Sequence, residues 1–264
     1  MCLDHKGRER WSYRLEDTFR FGAGSYGPPW RSSLLTVLDV HGEKRIAWSL
    51  AHSVWWPAPI LTLNARGERL STFVSSGLIY QLRTTVRENR SLIVAAGVSN
   101  SRAAASLIVL DGDRPIGTTP EEPGSPYECL SCEPGAPVRY LSFPKTELAI
   151  AADRPYNLTT AIYETPGSLS IGVLEIKSES PGGENPVLTF FEFDPSFRLR
   201  AARWSDSFEP MHRVFEQSGV LRHSAAACPN RTPRAFEYRP TRGLVEIKMG
   251  ASALVTDAES SKSR

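Results

Sequence analysis

A 37-residue stretch that repeats itself 47 positions later limits what this chain of 264 residues can fold into more than any other feature. Laying LLTVLDVHGEKRIAWSLAHSVWWPAPILTLNARGERL (34–70) over YQLRTTVRENRSLIVAAGVSNSRAAASLIVLDGDRPI, which begins at Tyr80, puts Ile46 on Ile93, Ile60 on Leu107 and Leu63 on Leu110. Between Ile46 and Asn64 no gap is needed. In each copy a short run (LLTVLDV; YQLRTTV) leads through polar residues to a second (RIAWSL; SLIVAAG) and, after a loop, to a third (PILTLNA; ASLIVLD). The runs are rich in Val, Ile, Leu and Thr and are bounded by Gly, Asn and Asp, which favours strands over helices. A period of this length signals stacked units that cover one another's apolar faces.

Three or four short strands per unit is the make-up of a β-propeller blade. A half-pattern of strand, turn and strand recurs in CLDHKGRERWSYRL, with Leu3, Gly7 and Trp11 in the corresponding roles, and in LTFFEFDPSFRLRAARW (188–204), with DPSF as the turn. The repeats resemble divergent blades of the FG-GAP type found in integrin-like and bacterial β-propellers, and the opening segment also resembles the strand pair of quinoprotein-like blades. Such blades often carry a calcium loop of the form D-x-D-G-D-G. The matching stretch here, DVHGEKR, keeps Asp39, Gly42 and Glu43 but has His41 and Lys44, too few hard oxygen ligands for calcium.

The expected fold is mainly β: incomplete or degenerate propeller-type blades of antiparallel strands with two short helices. Residues 1–115 read as propeller-like repeats and 116–140 as a Pro/Gly-rich loop carrying a C-x-x-C. Residues 141–250 read as a β-rich region with the helices, and 251–264 as a disordered tail. The helices are expected at 143–154, with Pro near the first turn and a Thr-Glu-Leu start, and at 205–219, where Phe208, Met211 and Phe215 recur at helical spacing before Gly219. Closed propellers use about 4 to 8 blades. Three or four units that begin in mid-blade leave sheet edges open, so a partner (a second copy included) completes the ring, the chain belongs to a longer protein, or the units pack as an open sandwich.

Lys and Arg exceed Asp and Glu by two, 31 against 29, so no global field holds nucleic acid or an acidic membrane. No apolar run reaches the roughly 18–20 residues that span a bilayer, and the first residues lack the hydrophobic stretch of a secretion signal. The chain as written is expected to be soluble and cytoplasmic. RTPRAFEYRPTRG (231–243) interleaves four arginines with Phe236 and Tyr238, which suits either a phosphate backbone or a solvated strand decorated with arginine.

The candidate ligand-binding residues are His52, Trp55 and Trp56. At the repeat offset they align with Ser99, Arg102 and Ala103, so the positions do not stay apolar as core positions do. Either they form an aromatic recognition patch on a loop at the blade rim, or one tryptophan folds back over the blade edge while Pro57 fixes the turn. In CLSCEPG, Cys129 and Cys132 have the spacing to grip zinc from a tight turn. With only two thiolates there, Cys228 or His223 of HSAAAC would complete the ligands; a disulfide or redox pair, or two metal-free thiols, are the other readings. His212, beside the apolar stripe of the second helix, reads as a surface histidine rather than a base. FGAGSYGPPW has G-x-G-x-x-G spacing, but Pro28 and Pro29 follow at once, so it is a glycine-rich loop.

With no P-loop, H-E-x-x-H or G-x-S-x-G, the sequence points to a non-catalytic module binding a protein or small ligand through rim loops. The alternative is a hydrolase- or lyase-type enzyme on a propeller scaffold, with a rim metal or a charged site drawn from His52, Asp39 and Glu43.

Overall fold

A computed structural model describes residues 1–54, 56–177 and 185–249. The expected tail, 251–264, lies outside them. The chain opens with two small hairpins, β1 (Cys2–Leu3) with β2 (Glu9–Trp11) and β3 (Phe19–Phe21) with β4 (Gly24–Tyr26). β5 (Arg31–Val40), β6 (Glu43–Ala51), β7 (Ala58–Leu63) and β8 (Arg69–Ser75) then form an antiparallel meander, the first sheet. β9 (Ile79–Arg87), β10 (Arg90–Ser99) and β11 (Ala104–Asp111) begin the second sheet. β12 (Gly117–Thr118) returns to the first sheet parallel to β8, and β13 (Arg139–Phe143) extends the second. After α1 (Glu147–Ala151), the strands β14 (Leu158–Thr165), β15 (Ser168–Ile176), β16 (Val187–Phe193) and β17 (Leu199–Trp204) make the third sheet. Next come α2 (Phe208–Gln217), a 3₁₀ turn at Ala225–Ala227, and the hairpin of β18 (Ala235–Arg239) and β19 (Gly243–Ile247), which adds to the second sheet beyond β13.

The 47-residue repeat is written into the backbone. Ile46 pairs with Leu63 across β6 and β7, and Ile93 with Leu110 across β10 and β11. Likewise Leu38 faces Arg45 and Thr85 faces Leu92. The turns repeat as well: His41 and Gly42 both have positive φ, as do Glu88 and Asn89, the conformation that suits a two-residue hairpin turn to the twist of its strands.

The faces follow the same offset. Ala47, Ala58 and Ile60 of the first sheet pack on the second, while Val94, Ala105 and Leu107, 47 residues on, pack on the third. Ile93, Ala95, Ile108 and Leu110 line the opposite face, against the first sheet. The second sheet is therefore covered on both sides, which is why β11 is buried from Ala104 to Leu110 instead of alternating. Each buried Val, Leu or Ile among them contributes about 1.5–3 kcal/mol by leaving water. Three blade-like sheets are thus stacked, and among the described residues they do not close into a ring.

The two ends of the stack are capped differently. On the first sheet, Leu50, Leu61 and Val74 are covered by Leu15, Phe19 and Phe21, where a preceding blade would sit. At the other end, Leu148 of α1 and Phe208 and Met211 of α2 cluster with Ile176 and Val187 of the third sheet. The opening segment departs from its expected half-blade: β1 and β2 pair only with each other, and Trp11 lies on the turn at Gly67 and donates from Nε1 to the Ala65 carbonyl at 3.1 Å. Its strands are two and three residues long and carry charge at Glu9 and Arg10, so they have no apolar face with which to extend a blade.

Buried polar groups tie the sheets together. Glu175, 1% exposed, accepts at Oε1 from Asn157 Nδ2 and Thr189 Oγ1, both 3.1 Å. Its Oε2 accepts from the Thr146 hydroxyl at 3.0 Å and the Thr146 N–H at 3.4 Å. Asn157 Oδ1 in turn accepts from the Ala105 N–H of β11 at 2.8 Å, joining the second and third sheets. In the second copy of the rim loop, Arg102 pairs with the buried carboxylate of Glu121 at 3.3 Å, anchoring the long excursion after β11.

Candidate functional site

The rim loop after β6 and the glycine-rich loop before β5 meet in an aromatic corner. Gly24 ends the tight turn between β3 and β4 with a φ of 148°, which brings Tyr26 and then Trp30 over the end of β6. The ring of Trp56 lies 4.6 Å from Tyr26, 5.0 Å from Tyr127 and 5.2 Å from Phe21. His52 sits between Tyr26 at 5.4 Å and Trp30 at 5.5 Å, edge-on to both. Burial pushes the Tyr26 phenol above its ordinary pKa, and Tyr127 adds to it. His52 and Trp56 are thus brought together, half-buried; Trp55 lies outside the described residues.

Next to this corner is a cleft of about 310 Å³ lined by Tyr13, Pro28, Pro29, Trp30 and Trp48, with Arg14 and Glu16 among its walls. The indole N–H of Trp30 donates to the Asp17 carbonyl at 3.0 Å, and that of Trp48 to Ser32 Oγ at 2.9 Å. Both tryptophans are held in orientation from behind. What they offer a ligand is ring surface, with Arg14 and Glu16, 3.8 Å apart and largely exposed, as the nearby charges. Tyr26 and Trp30 are absent from the sequence candidates because SYGPPW reads as a glycine- and proline-rich loop; the density of aromatics beside the prolines is the available signal.

A wider cleft of about 490 Å³ lies at α2 between Trp204, Asp206, Glu209, Arg213 and Arg231. Its walls mix both signs of charge. Arg234 and Arg239 of the arginine-rich stretch are paired with Glu246 and Glu237, as befits a solvated strand.

Of the readings open for CLSCEPG the disulfide is the one found, and the expectations for zinc there and for His212 change. Cys129 and Cys132 are joined to each other by a disulfide, so neither has a thiolate to give to zinc. The disulfide belongs to the loop beneath the aromatic corner, whereas Cys228 is buried in the helical cap of the third sheet; the two places are on opposite ends of the stack. His212 is not a surface residue: it is fully buried on the inner side of α2, 5.2 Å ring to ring from His223. The apolar stripe is broader than Phe208, Met211 and Phe215 suggested, and His212 falls within it.

Asp39 and Glu43 do not gather with His52. They flank the turn into β6, and His52 follows the far end of that strand, nine residues on, roughly 30 Å at 3.3 Å per residue. Asp39 is engaged by Lys44 at 2.8 Å and by the Gly42 N–H at 2.8 Å, which hold its carboxyl below the usual range.

No family model and no curated protein matches this chain. Among solved structures, an exotype rhamnogalacturonan lyase, YesX, is similar at a TM-score of 0.41 and 12% identity, over 74% of this chain. The match spans about a third (36%) of that protein's length. A likeness this distant says nothing of activity.

Proposed function

We propose that this chain is a non-catalytic binding module that recognises a small ligand or a protein segment at the aromatic corner formed by His52, Trp56, Tyr26 and Trp30 and the adjoining cleft. The observation that carries this reading is the set of tryptophans fixed from behind by hydrogen bonds, Trp30 and Trp48, whose ring surfaces line a concave site of ligand size. Ligand sites are typically concave, lined by apolar and aromatic side chains, with a few polar groups that set orientation. Rigid aromatics lose little conformational entropy on binding and are favoured as anchors. Suitable ligands are those with a flat apolar face and polar edges: a sugar ring, or proline rings in an extended peptide.

The test is a titration of the full chain with oligosaccharides and proline-rich peptides, followed by tryptophan fluorescence. A ligand of this corner gives a saturable change that weakens at least about tenfold, 1.4 kcal/mol, in Trp48→Ala and in His52→Ala. Glu43→Ala, at the far end of β6, leaves it intact. Silence across the panel, or binding indifferent to both substitutions, rejects the corner as the site.

A further inference from the structure

The helical cap of the third sheet holds a second, unrelated cluster. His212 from the middle of α2, His223 from the loop after it and Cys228 at the end of the 3₁₀ turn bring their ligand atoms within 4.8 Å of one another. The His212 side chain is wholly buried, yet neither of its ring nitrogens has a hydrogen-bond partner, and His223 Nε2 has none either. Three orphaned nitrogens beside a buried thiol are costly, because a buried polar atom without a partner forfeits its hydration.

We propose that His212, His223, Cys228 and Glu147 form a structural zinc site that clips α1, α2 and the 218–228 loop to one another over the third sheet. Two imidazoles, one thiolate and one carboxylate are the donors zinc takes in tetrahedral sites. Glu147, the first residue of α1, places Oε2 at 3.5 Å from His223 Nε2. Two ligand atoms each about 2.0–2.1 Å from a tetrahedral zinc are about 3.3–3.4 Å apart, so this pair already stands near that spacing. The ligand atoms of His212, His223 and Cys228, within 4.8 Å of one another, close by about an ångström onto an ion, and the Glu147 side chain turns in from beside His223. Glu216, one turn after His212, stands 4.0 Å from Nδ1, too far for a hydrogen bond, so both ring nitrogens of His212 remain open to a metal. This site is independent of the aromatic corner.

The experiment is anaerobic titration of the full chain with cobalt(II), then zinc. The site predicts one cobalt per chain, a tetrahedral visible spectrum, one thiolate-to-cobalt charge-transfer band, and displacement by one equivalent of zinc with a rise of several degrees in Tm. Cys228→Ser loses that band and weakens zinc by more than the ~10–100-fold that removal of an outer partner costs, while the Cys129→Ser/Cys132→Ser double variant matches the wild type. An octahedral spectrum without a thiolate band, or a band that disappears with Cys129 and Cys132, overturns the proposal. If Cys228→Ser does not fold, Glu147→Gln, half-exposed, decides: it keeps the thiolate band but shifts the visible spectrum and weakens zinc at least tenfold, and an unchanged spectrum and affinity overturn the four-ligand set.

Discussion

Replacing Glu175 by Gln sets burial against hydrogen bonding at the junction of the second and third sheets. Burial raises the pKa of this carboxyl, while its donors, Asn157 and Thr146 foremost and then Thr189, pull the other way; burial is the larger effect. A native pKa above the unfolded value means that the folded chain binds more protons in the window between them, so stability falls as pH rises through the native pKa. The contribution is fully present below the ordinary glutamate value and lost above the native one. Each tenfold difference in proton affinity is worth about 1.4 kcal/mol.

The amide removes the titration but not the crowding of donors. With its oxygen towards Asn157 and Thr189, its NH₂ meets the Thr146 N–H, which cannot turn away; flipped, it meets the Asn157 NH₂. One stranded buried donor costs about 1–3 kcal/mol, or roughly 2–12 °C in Tm for a chain of this size. Urea and thermal melts of both proteins from pH 8 to pH 5 isolate Glu175, because every other titrating group cancels in the difference. The wild type's lead should be largest at the acid end, near pH 5, and shrink towards pH 8 as pH rises through the native pKa. A lead that grows with pH would show that the four donors outweigh burial and refute the reasoning.

Two backbone substitutions test the repeat itself. Gly97 lies at the bulge between β9 and β10, and a Cβ there would sit 2.0 Å from the Leu78 carbonyl oxygen. Gly97→Ala should therefore destabilise by about 3 kcal/mol or more, lowering the urea midpoint, with an unaltered midpoint as the contrary result. Glu88 holds a φ of 50° in the turn that copies His41–Gly42; Glu88→Asn should raise the urea midpoint by about 0.5–1 kcal/mol of stability, since Asn tolerates the left-handed conformation better, and a loss would contradict the turn assignment.

The sequence by itself determined the strands, their three-run unit and the 47-residue offset. These are local facts: runs such as ASLIVLD have one stable way to satisfy their backbone and cover their side chains, and duplicated patterning gives duplicated register. It also marked both helices, the second through the stripe in α2; the first, expected at 143–154, is confined to Glu147–Ala151 because Phe143 ends β13 and Thr146 is the N-cap, accepting from the Ala149 N–H. The tertiary structure alone decided where the faces meet. His52 and Trp56 were legible as unusual, but their neighbours Tyr26 and Trp30 come from a loop 22 or more residues earlier, and nothing in local periodicity reports which loop covers which sheet end. The cysteines show this most clearly. Cys228 and His223 were visible candidates and Cys129 and Cys132 an obvious pair, yet spacing along the chain cannot say that two ends of a three-sheet stack keep them apart. His212, whose place on the buried side of α2 depends on how that helix rolls onto Ile176 and Val187, takes their place beside Cys228. Burial and convergence are long-range properties, set by which apolar faces the stack leaves to be covered.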